Sequence, residues 1–372
     1  MVSYFPLEQM SFLTLPATLL RRCYLGFYNT GNMNTVEHKL FAGNAPQLKD
    51  LSLLGCRMNW RPLVTVNLKY LEISEVFFER QPFLFTKEIL EALSHSPHLR
   101  RLILNSVFLP NEEPFDFPTV KLPELKVLKV LSSLRSTVQL LSRLTFGLNP
   151  RIRIDCHPTE VTGSGAQLHD MQSLASIIYQ QTSTGSPIRS LQIRKLDAED
   201  DMTTHAWTTP KPWEKERFVI HSPSFGEEEP RARAAILLTL LQKGYSYLQY
   251  LDISRHKVTL SHAEWKRIGE LDSLEELRIT SVHAAGFLKV FTTKDREAQS
   301  AGENDVVNNQ SFKVLRILHY SEPPLFGGDD IVSADAFRDM LDAGLKAREN
   351  LKLNIPTLRY LPDDKFTHIE VF

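Results

Sequence analysis

Cysteine is scarce in this chain, whose 372 residues hold three, Cys23, Cys56 and Cys156. An odd and widely spaced set closes neither a disulfide framework nor a four-cysteine zinc site, so the thiols read as buried structural groups in a reducing compartment. Long hydrophobic runs are missing too. No stretch reaches the ~18 apolar residues of a membrane-spanning helix. The opening MVSYFPLEQMSFLTLPATLLRR has no basic segment ahead of its apolar part and is interrupted at Pro6, Glu8 and Pro16, unlike a signal peptide. Charge of one sign is also lacking: 43 basic against 44 acidic residues leave a net charge of −1. No global field then draws the chain to nucleic acid or an anionic membrane, and a partner has to be recognised locally. The expectation is a soluble intracellular protein, cytoplasmic or nuclear, in which the sequon Asn309-Gln310-Ser311 carries no weight.

Motifs with a chemical mechanism are absent as well. There is no Walker A sequence, no GxGxxG and no HExxH. Gly163-Ser164-Gly165 lacks the glycine spacing of a nucleophile elbow and reads as loop punctuation. The 12 histidines are scattered, and His95 and His98 flank Pro97 in a turn, where a solvated or backbone-bonded imidazole is the ordinary state. The sequence therefore predicts no catalytic residue, no cofactor and no metal ligand, and a protein that is not an enzyme.

What is present is a phrase. With 42% hydrophobic and 23% charged residues a sizeable core is available, and six-residue units return along the chain. They are Leu48-Lys-Asp-Leu51-Ser-Leu53, Leu68-Lys-Tyr-Leu71-Glu-Ile73, Leu99-Arg-Arg-Leu102-Ile-Leu104, Leu125-Lys-Val-Leu128-Lys-Val130, Ile188-Arg-Ser-Leu191-Gln-Ile193, Leu248-Gln-Tyr-Leu251-Asp-Ile253, Leu274-Glu-Glu-Leu277-Arg-Ile279 and Phe312-Lys-Val-Leu315-Arg-Ile317. Every copy has leucine at the fourth place and a polar residue at the second, and most follow a proline or polar residue closely. The fourth and sixth places are two apart, the period of a strand with one buried face. Each phrase thus predicts a short strand, and the repeat is the leucine-rich signature.

Helical segments lie between the phrases. Thr86–Ser94 carries Ile89, Leu90 and Leu93, Ser136–Thr145 carries Val138, Leu141 and Leu144, and Leu168–Tyr179 carries Met171, Leu174 and Ile178. Ser261 and Glu264 form a capping box ahead of Trp265, Ile268 and Leu271, and Ser333 caps a helix presenting Phe337, Met340 and Leu341. First places are spaced by 20, 31, 26, 63, 60, 26 and 38 residues. The gap of 63 has room for a hidden strand at Ile152-Arg-Ile154 with Cys156. The gap of 60 contains 197–233, rich in acid and X-Pro steps, which reads as a loop insertion with Phe218-Val-Ile220 as a short strand inside it. A second loop is expected at 292–310. Degenerate strands are expected at Leu19–Tyr28, Leu351–Ile355 and Phe366–Phe372. The predicted fold is α/β: a single irregular array over 1–372, a solenoid of helix–strand units with a parallel sheet on its concave face.

Places three and five point away from the leucines and give the pairs Asp50/Ser52, Tyr70/Glu72, Arg101/Ile103, Val127/Lys129, Ser190/Gln192, Tyr250/Asp252, Glu276/Arg278 and Val314/Arg316. Tyrosine, arginine, carboxylates and a few aliphatics suit a protein-recognition face. Tyr70, Glu72, Arg101, Ile103, Lys129, Tyr250, Asp252 and Arg278 are the candidate partner-binding residues. The basic second places Lys49, Lys69, Arg100, Lys126, Arg189 and Lys313 read as a solvated strand edge rather than a nucleic-acid site. Phe77, Phe78, Phe83 and Phe85 read as core packing behind a strand, with an exposed docking patch as the alternative.

At LFAGNAPQLKDLSLLGC, LEALSHSPHLRRLILNSVFLP and KLPELKVLKV the wording resembles the repeat region of the large fungal family of F-box proteins with leucine-rich repeats, over roughly residues 15–355. In that family an F-box binds the Skp adaptor of a cullin ubiquitin ligase while the repeats select the substrate. The resemblance implies a protein-interaction module that forms the substrate-recognition part of an F-box type ubiquitin ligase receptor. A leucine-rich-repeat scaffold unconnected with ubiquitin is the alternative. An F-box opens with Leu-Pro-x-Glu, whereas Pro6-Leu7-Glu8 is in another order and Leu15-Pro16 is followed by Ala17-Thr18. Capture of the Skp adaptor is therefore expected only if an F-box is supplied upstream.

Overall fold

The first place of four of the phrases closes a turn. In a computed structural model of the chain, the Leu48 N–H donates to the Ala45 carbonyl at 3.0 Å, Leu99 to Ser96 at 3.1 Å, Leu125 to Leu122 at 3.1 Å and Leu274 to Leu271 at 3.2 Å. Pro46, Pro97 and Pro123 occupy the second position of three of these turns, where a fixed φ is pre-set for the bend. The leucine ending the turn is buried in every case. Two residues later the strand begins, so the proline before the phrase and the leucine at its head are parts of one device.

The structure describes residues 15–26, 34–36, 40–58, 68–74, 84–106, 108–109, 116–157, 164–183, 185–195, 202–209, 217–222, 237, 239, 246–255, 260–292, 312, 315, 317–321, 334–350 and 359–362. The main strands are β1 (Arg22–Gly26), β2 (Asp50–Leu54), β3 (Tyr70–Ser74), β4 (Arg101–Asn105), β5 (Val127–Ser133), β6 (Arg151–His157), β7 (Ser190–Lys195), β8 (Met202–Trp207), β9 (Phe218–Ser222), β10 (Tyr250–Arg255), β11 (Glu276–Thr280), β12 (Ile317–Ser321) and β13 (Arg359–Pro362). The helices are α1 (Thr86–Ser94), α2 (Leu134–Leu141), α3 (Ser164–Ser183), α4 (His262–Gly269), α5 (Ser281–Thr292) and α6 (Ala334–Asn350). The fold is mixed α/β, built on parallel pairing, and no sheet closes into a barrel among the described residues.

Two compact units divide the chain: Met1–Ser186 with Arg217–Pro223, and Pro187–Glu216 with Ser224–Phe372. In the first, the strand order is β1-β2-β3-β4-β5-β6-β9, all parallel. Its register aligns Leu51, Leu71, Leu102, Leu128, Ile152 and Phe218 in one row and Leu53, Ile73, Leu104, Val130, Ile154 and Ile220 in the next. Both rows are buried, and α1, α2 and α3 pack in succession. The expected hidden strand is β6, and Asn149 stands where the leading leucine would be. Asn149 holds the turn instead through its own side chain, whose Oδ1 accepts from the Ser186 N–H at 2.9 Å and whose Nδ2 donates to Ser186 Oγ at 3.0 Å. Cys23 is buried level with Leu51 and Cys156 is buried level with Ser132, two residues beyond the second row, and burial pushes their thiols up from 9.0 to about 11 and about 12.

In the second unit the order is β8-β7-β10-β11-β12-β13, parallel except for β8 against β7. The stretch 197–233, expected as a loop insertion with a short strand at Phe218-Val-Ile220, carries that strand as β9 and a further one, β8. The phrase at Phe312–Ile317 is read three residues early. Leu277 pairs with Leu318, so Leu315 is the leading residue, Leu318 the fourth and Tyr320 the sixth. Helix α5 was not expected. Its Ala284, Phe287, Leu288, Val290 and Phe291 are all buried, and Phe287 stacks on Phe291 with ring centres 5.2 Å apart and meets Phe312 edge-on at 5.1 Å. The Ser261–Glu264 capping box is present on α4. Met340 on α6 is 41% exposed, off the buried stripe of Phe337 and Leu341.

Elsewhere the expected bounds move slightly. Ser133 caps α2 and starts it at Leu134, while Leu144 belongs to a short strand, Leu144–Phe146, paired with Val120–Leu122. Ser164 and Gly165 lie in the first turn of α3 rather than in a loop. Leu351–Ile355, Phe366–Phe372, Phe77, Phe78 and Phe83, and 293–310, lie outside the described residues.

Leu102 is fully buried between Leu71 and Leu128. Leu102→Ala is expected to cost about 2–5 kcal/mol in urea unfolding followed by circular dichroism, from lost burial plus the cavity left behind. An unchanged midpoint would contradict this packing.

Candidate protein-binding face

Places three and five of the first unit form two rows on the sheet face opposite the leucines. The first row runs Arg22, Asp50, Tyr70, Arg101, Val127 and Arg151, and the second Tyr24, Ser52, Glu72, Ile103, Lys129 and Arg153. Alternation along β2, β3 and β5 makes these residues half-buried where their neighbours are fully buried.

The centre of the face is a small polar network. The Tyr70 hydroxyl donates to Glu72 Oε2 at 2.6 Å and the Ser52 hydroxyl donates to the same oxygen at 2.9 Å. Across the next strand the Arg101 guanidinium lies over the Tyr70 ring, 5.6 Å from its centre. Desolvation raises the Tyr70 phenol well above its ordinary range, and the hydrogen bond to Glu72 adds to the effect. The phenol is thus a fixed neutral donor, and the guanidinium keeps its fork of N–H groups at the surface. Arg101 is exposed, Lys129 half-buried and Ile103 buried at 6% exposure, so Ile103 forms floor rather than contact surface.

The margins hold features that phrase matching missed. Arg22 pairs with Asp50 at 2.9 Å and Tyr24 is 63% exposed. Arg153 Nε lies 3.0 Å from Asp155 Oδ2, and His221 Nε2 lies 3.4 Å from Oδ1. Apart from Asp50 they sit on β1, β6 and β9, which depart from the phrase at Cys23 in the fourth place of β1 and at Asn149 and Lys215 in the leading places of β6 and β9. The available signal was the alternation Arg-Ile-Arg-Ile at 151–154.

The second unit repeats the motif in a buried setting. Leu248-Gln-Tyr250-Leu-Asp252-Ile-Ser254 matches Leu68-Lys-Tyr70-Leu-Glu72-Ile-Ser74 place for place. The Tyr250 hydroxyl donates to Asp252 Oδ2 at 3.2 Å, and Arg278 lies 5.5 Å from the ring centre. Gln192 Nε2 donates to Asp252 Oδ2 at 2.5 Å, while the Ser254 N–H and hydroxyl donate to Oδ1 at 2.9 and 2.7 Å. Tyr250 and Asp252 are each 3% exposed, and burial beside Asp252 drives the Tyr250 phenol far upward. The expected outward pair Tyr250/Asp252 is therefore internal structure, as is Ser190/Gln192. Its carboxylate is consumed by intramolecular donors. Val314 and Arg316 lie outside the described residues, and the register puts Ile317 and His319 at those rungs.

His95 Nδ1 donates to the Glu91 carbonyl at 2.8 Å, and His98 Nδ1 lies 2.8 Å from Glu124 Oε1. Among the described residues no group of three or more His, Cys, Asp and Glu side chains is placed to hold a metal ion, and no helix is long and apolar enough to cross a membrane. No family model matches the chain, and no curated protein matches it either.

One motif in two environments separates structure from surface. Asp252→Ala leaves buried donors without an acceptor and is expected to cost about 2–5 kcal/mol. Glu72→Ala leaves groups that water reaches and is expected to cost under about 1 kcal/mol. Denaturant unfolding of both variants checks the ranking, which equal losses would refute.

Proposed function

We propose that the chain is a protein–protein interaction module of the leucine-rich-repeat kind, a solenoid of helix–strand units that takes a protein partner on the outward face of its first unit. The observation that carries this reading is the triad of Arg101, Tyr70 and Glu72. A rigid aromatic ring and a guanidinium, the residue types most often found as interface anchors, stand side by side on a sheet face and contribute nothing to the leucine rows. The recurring phrase and its helix–strand alternation support the repeat assignment. The narrower role, substrate recognition for an F-box type ubiquitin ligase, rests on the resemblance of the repeat wording.

The test is the double substitution Tyr70→Ala with Arg101→Ala. Partners cross-linked to the intact chain in cell extract are identified by mass spectrometry, and the strongest is purified and titrated against both forms. The double variant is expected to bind at least about thirtyfold more weakly, from loss of ~2 kcal/mol or more, with its unfolding transition nearly unmoved. Unchanged affinity would remove the face from consideration. For the narrower role, the purified Skp adaptor is expected to ignore this chain alone and to bind when an F-box is joined upstream; a stable complex with the chain alone would mean that the chain carries an adaptor-binding segment of its own.

A further inference from the structure

The second place of the phrase, one residue before each strand, forms a row of its own in the first unit. Its members are Arg21, Lys49, Lys69, Arg100 and Lys126. Their backbones are joined in sequence: the N–H of Lys49 donates to the Arg21 carbonyl at 2.8 Å, Lys69 to Lys49 at 2.7 Å, Arg100 to Lys69 at 2.8 Å and Lys126 to Arg100 at 2.8 Å. The side chains therefore leave the sheet edge at the inter-strand pitch of about 4.8 Å, a line of five cations about 19 Å long. Pro150 occupies the next rung and ends the row. Four of the five are exposed and Lys69 is half-buried. Only Arg100 meets a carboxylate among the described residues, Glu124 at 3.0 Å, which His98 and Arg100 together hold below the usual carboxylate range.

The geometry does not require this charge. In the second unit the same backbone bonds join Arg189, Gln249 and Glu275, at 2.8 and 2.9 Å, so a neutral or acidic side chain fills the position equally well. Like charges on adjacent strands oppose one another, and among the described residues the Glu124 carboxylate at Arg100 is the single compensating contact of the row. Lys129 and Arg151, on the face beside it, also lack a carboxylate partner among the described residues. We infer that this row is a docking strip for an extended acidic segment of a protein partner. The inference rests on the reading of the first unit as a protein-binding surface and names the chemistry of what binds.

A polypeptide fits better than a nucleic acid. Asp50, Glu72 and Asp155 share the neighbouring face, where their oxygens can accept from the backbone N–H groups of a peptide, donors that a phosphodiester backbone does not have. The Tyr70 ring at the centre of that face is covered by Arg101 and is not open to stack a base. The chain's isoelectric point of about 6.9 is far from the basic range of nucleic-acid-binding domains.

The experiment uses the full chain and a fluorescent oligoglutamate of about ten residues, followed by anisotropy at about 50 mM and about 200 mM salt. Binding at the lower salt and steep loss at the higher are expected. Lys49→Glu with Lys126→Glu should weaken binding by about tenfold or more at unchanged melting temperature, while Arg189→Glu should have no effect. If the double reversal fails to fold, Lys49→Gln with Lys126→Gln carries the test and should weaken binding about threefold. No binding at low salt, indifference to both double variants, or tighter binding of an oligothymidylate of equal charge overturns the inference. A natural partner that depends on Tyr70 and Arg101 but ignores Lys49 and Lys126 overturns it while leaving the protein-binding reading in place. Oligoglutamate binding without any dependence of a protein partner on Tyr70 and Arg101 does the reverse.

Discussion

A leucine at the fourth place of a strand is well buried only when the strand beside it presents an apolar side chain at the same height. That condition ties every rung to its neighbours, because a slip of one residue would carry each leucine to the opposite face. Leu51, Leu71, Leu102 and Leu128 meet it through one register, and so do Leu251 and Leu277 within the second unit. Everything else in each unit is conditional on it. The turn closed by the first leucine sets where the strand starts, the second place falls at the sheet edge, and the third and fifth places fall on the face opposite the leucines.

The parts of the fold that obey this rule were legible from residues alone. Phrases with proline-led turns, at Leu48, Leu99 and Leu125, place the buried fourth and sixth residues of their strands correctly, although each strand begins two residues into the phrase and runs one to three residues past it. At Phe312–Ile317 the template was met twice in overlapping phases, and the composition of six residues could not choose between Leu315 and Leu318 as the fourth place. The aromatic cluster chose: Phe312 is needed against Phe287 and Phe291, one turn before the strand. Helix α5 escaped notice because its residues are apolar on nearly all sides, which erases the periodic stripe by which a surface helix is recognised. Strand β8 escaped because its neighbour is antiparallel and its residues Met-Thr-Thr-His-Ala-Trp have no leucine to mark them. Local pattern carries information about the contrast between two faces, and that contrast is lost where β8 is buried at successive residues and where the exposed stripe of α5, Val282, Ala285 and Lys289, is itself mostly apolar.

The candidate site was legible only in part for the same reason. Outward direction follows from a period of two and needs nothing but the strand. Exposure does not, since whatever lies over that face is set by chain far away in sequence. Tyr70-Leu-Glu72 and Tyr250-Leu-Asp252 are therefore indistinguishable as words, yet one is surface and the other interior. The chemistry reflects the difference. Glu72 has two side-chain donors, whereas Asp252 accepts from Tyr250, Gln192 and both donors of Ser254. A carboxylate removed from water is retained only where hydrogen bonds replace its hydration.

The cations at the second place hang from main-chain bonds that do not depend on what those side chains are, as Gln249 and Glu275 demonstrate at the corresponding rungs. Charge can therefore be edited there without touching the core. A gene that duplicated or dropped one unit would lengthen or shorten the row by a single charge at constant pitch, and a point substitution would blank one rung and leave its neighbours in place. Such an edge behaves as a ruler with erasable marks, on which selection can change the strength of an electrostatic contact in whole-number steps while the scaffold that carries it stays the same.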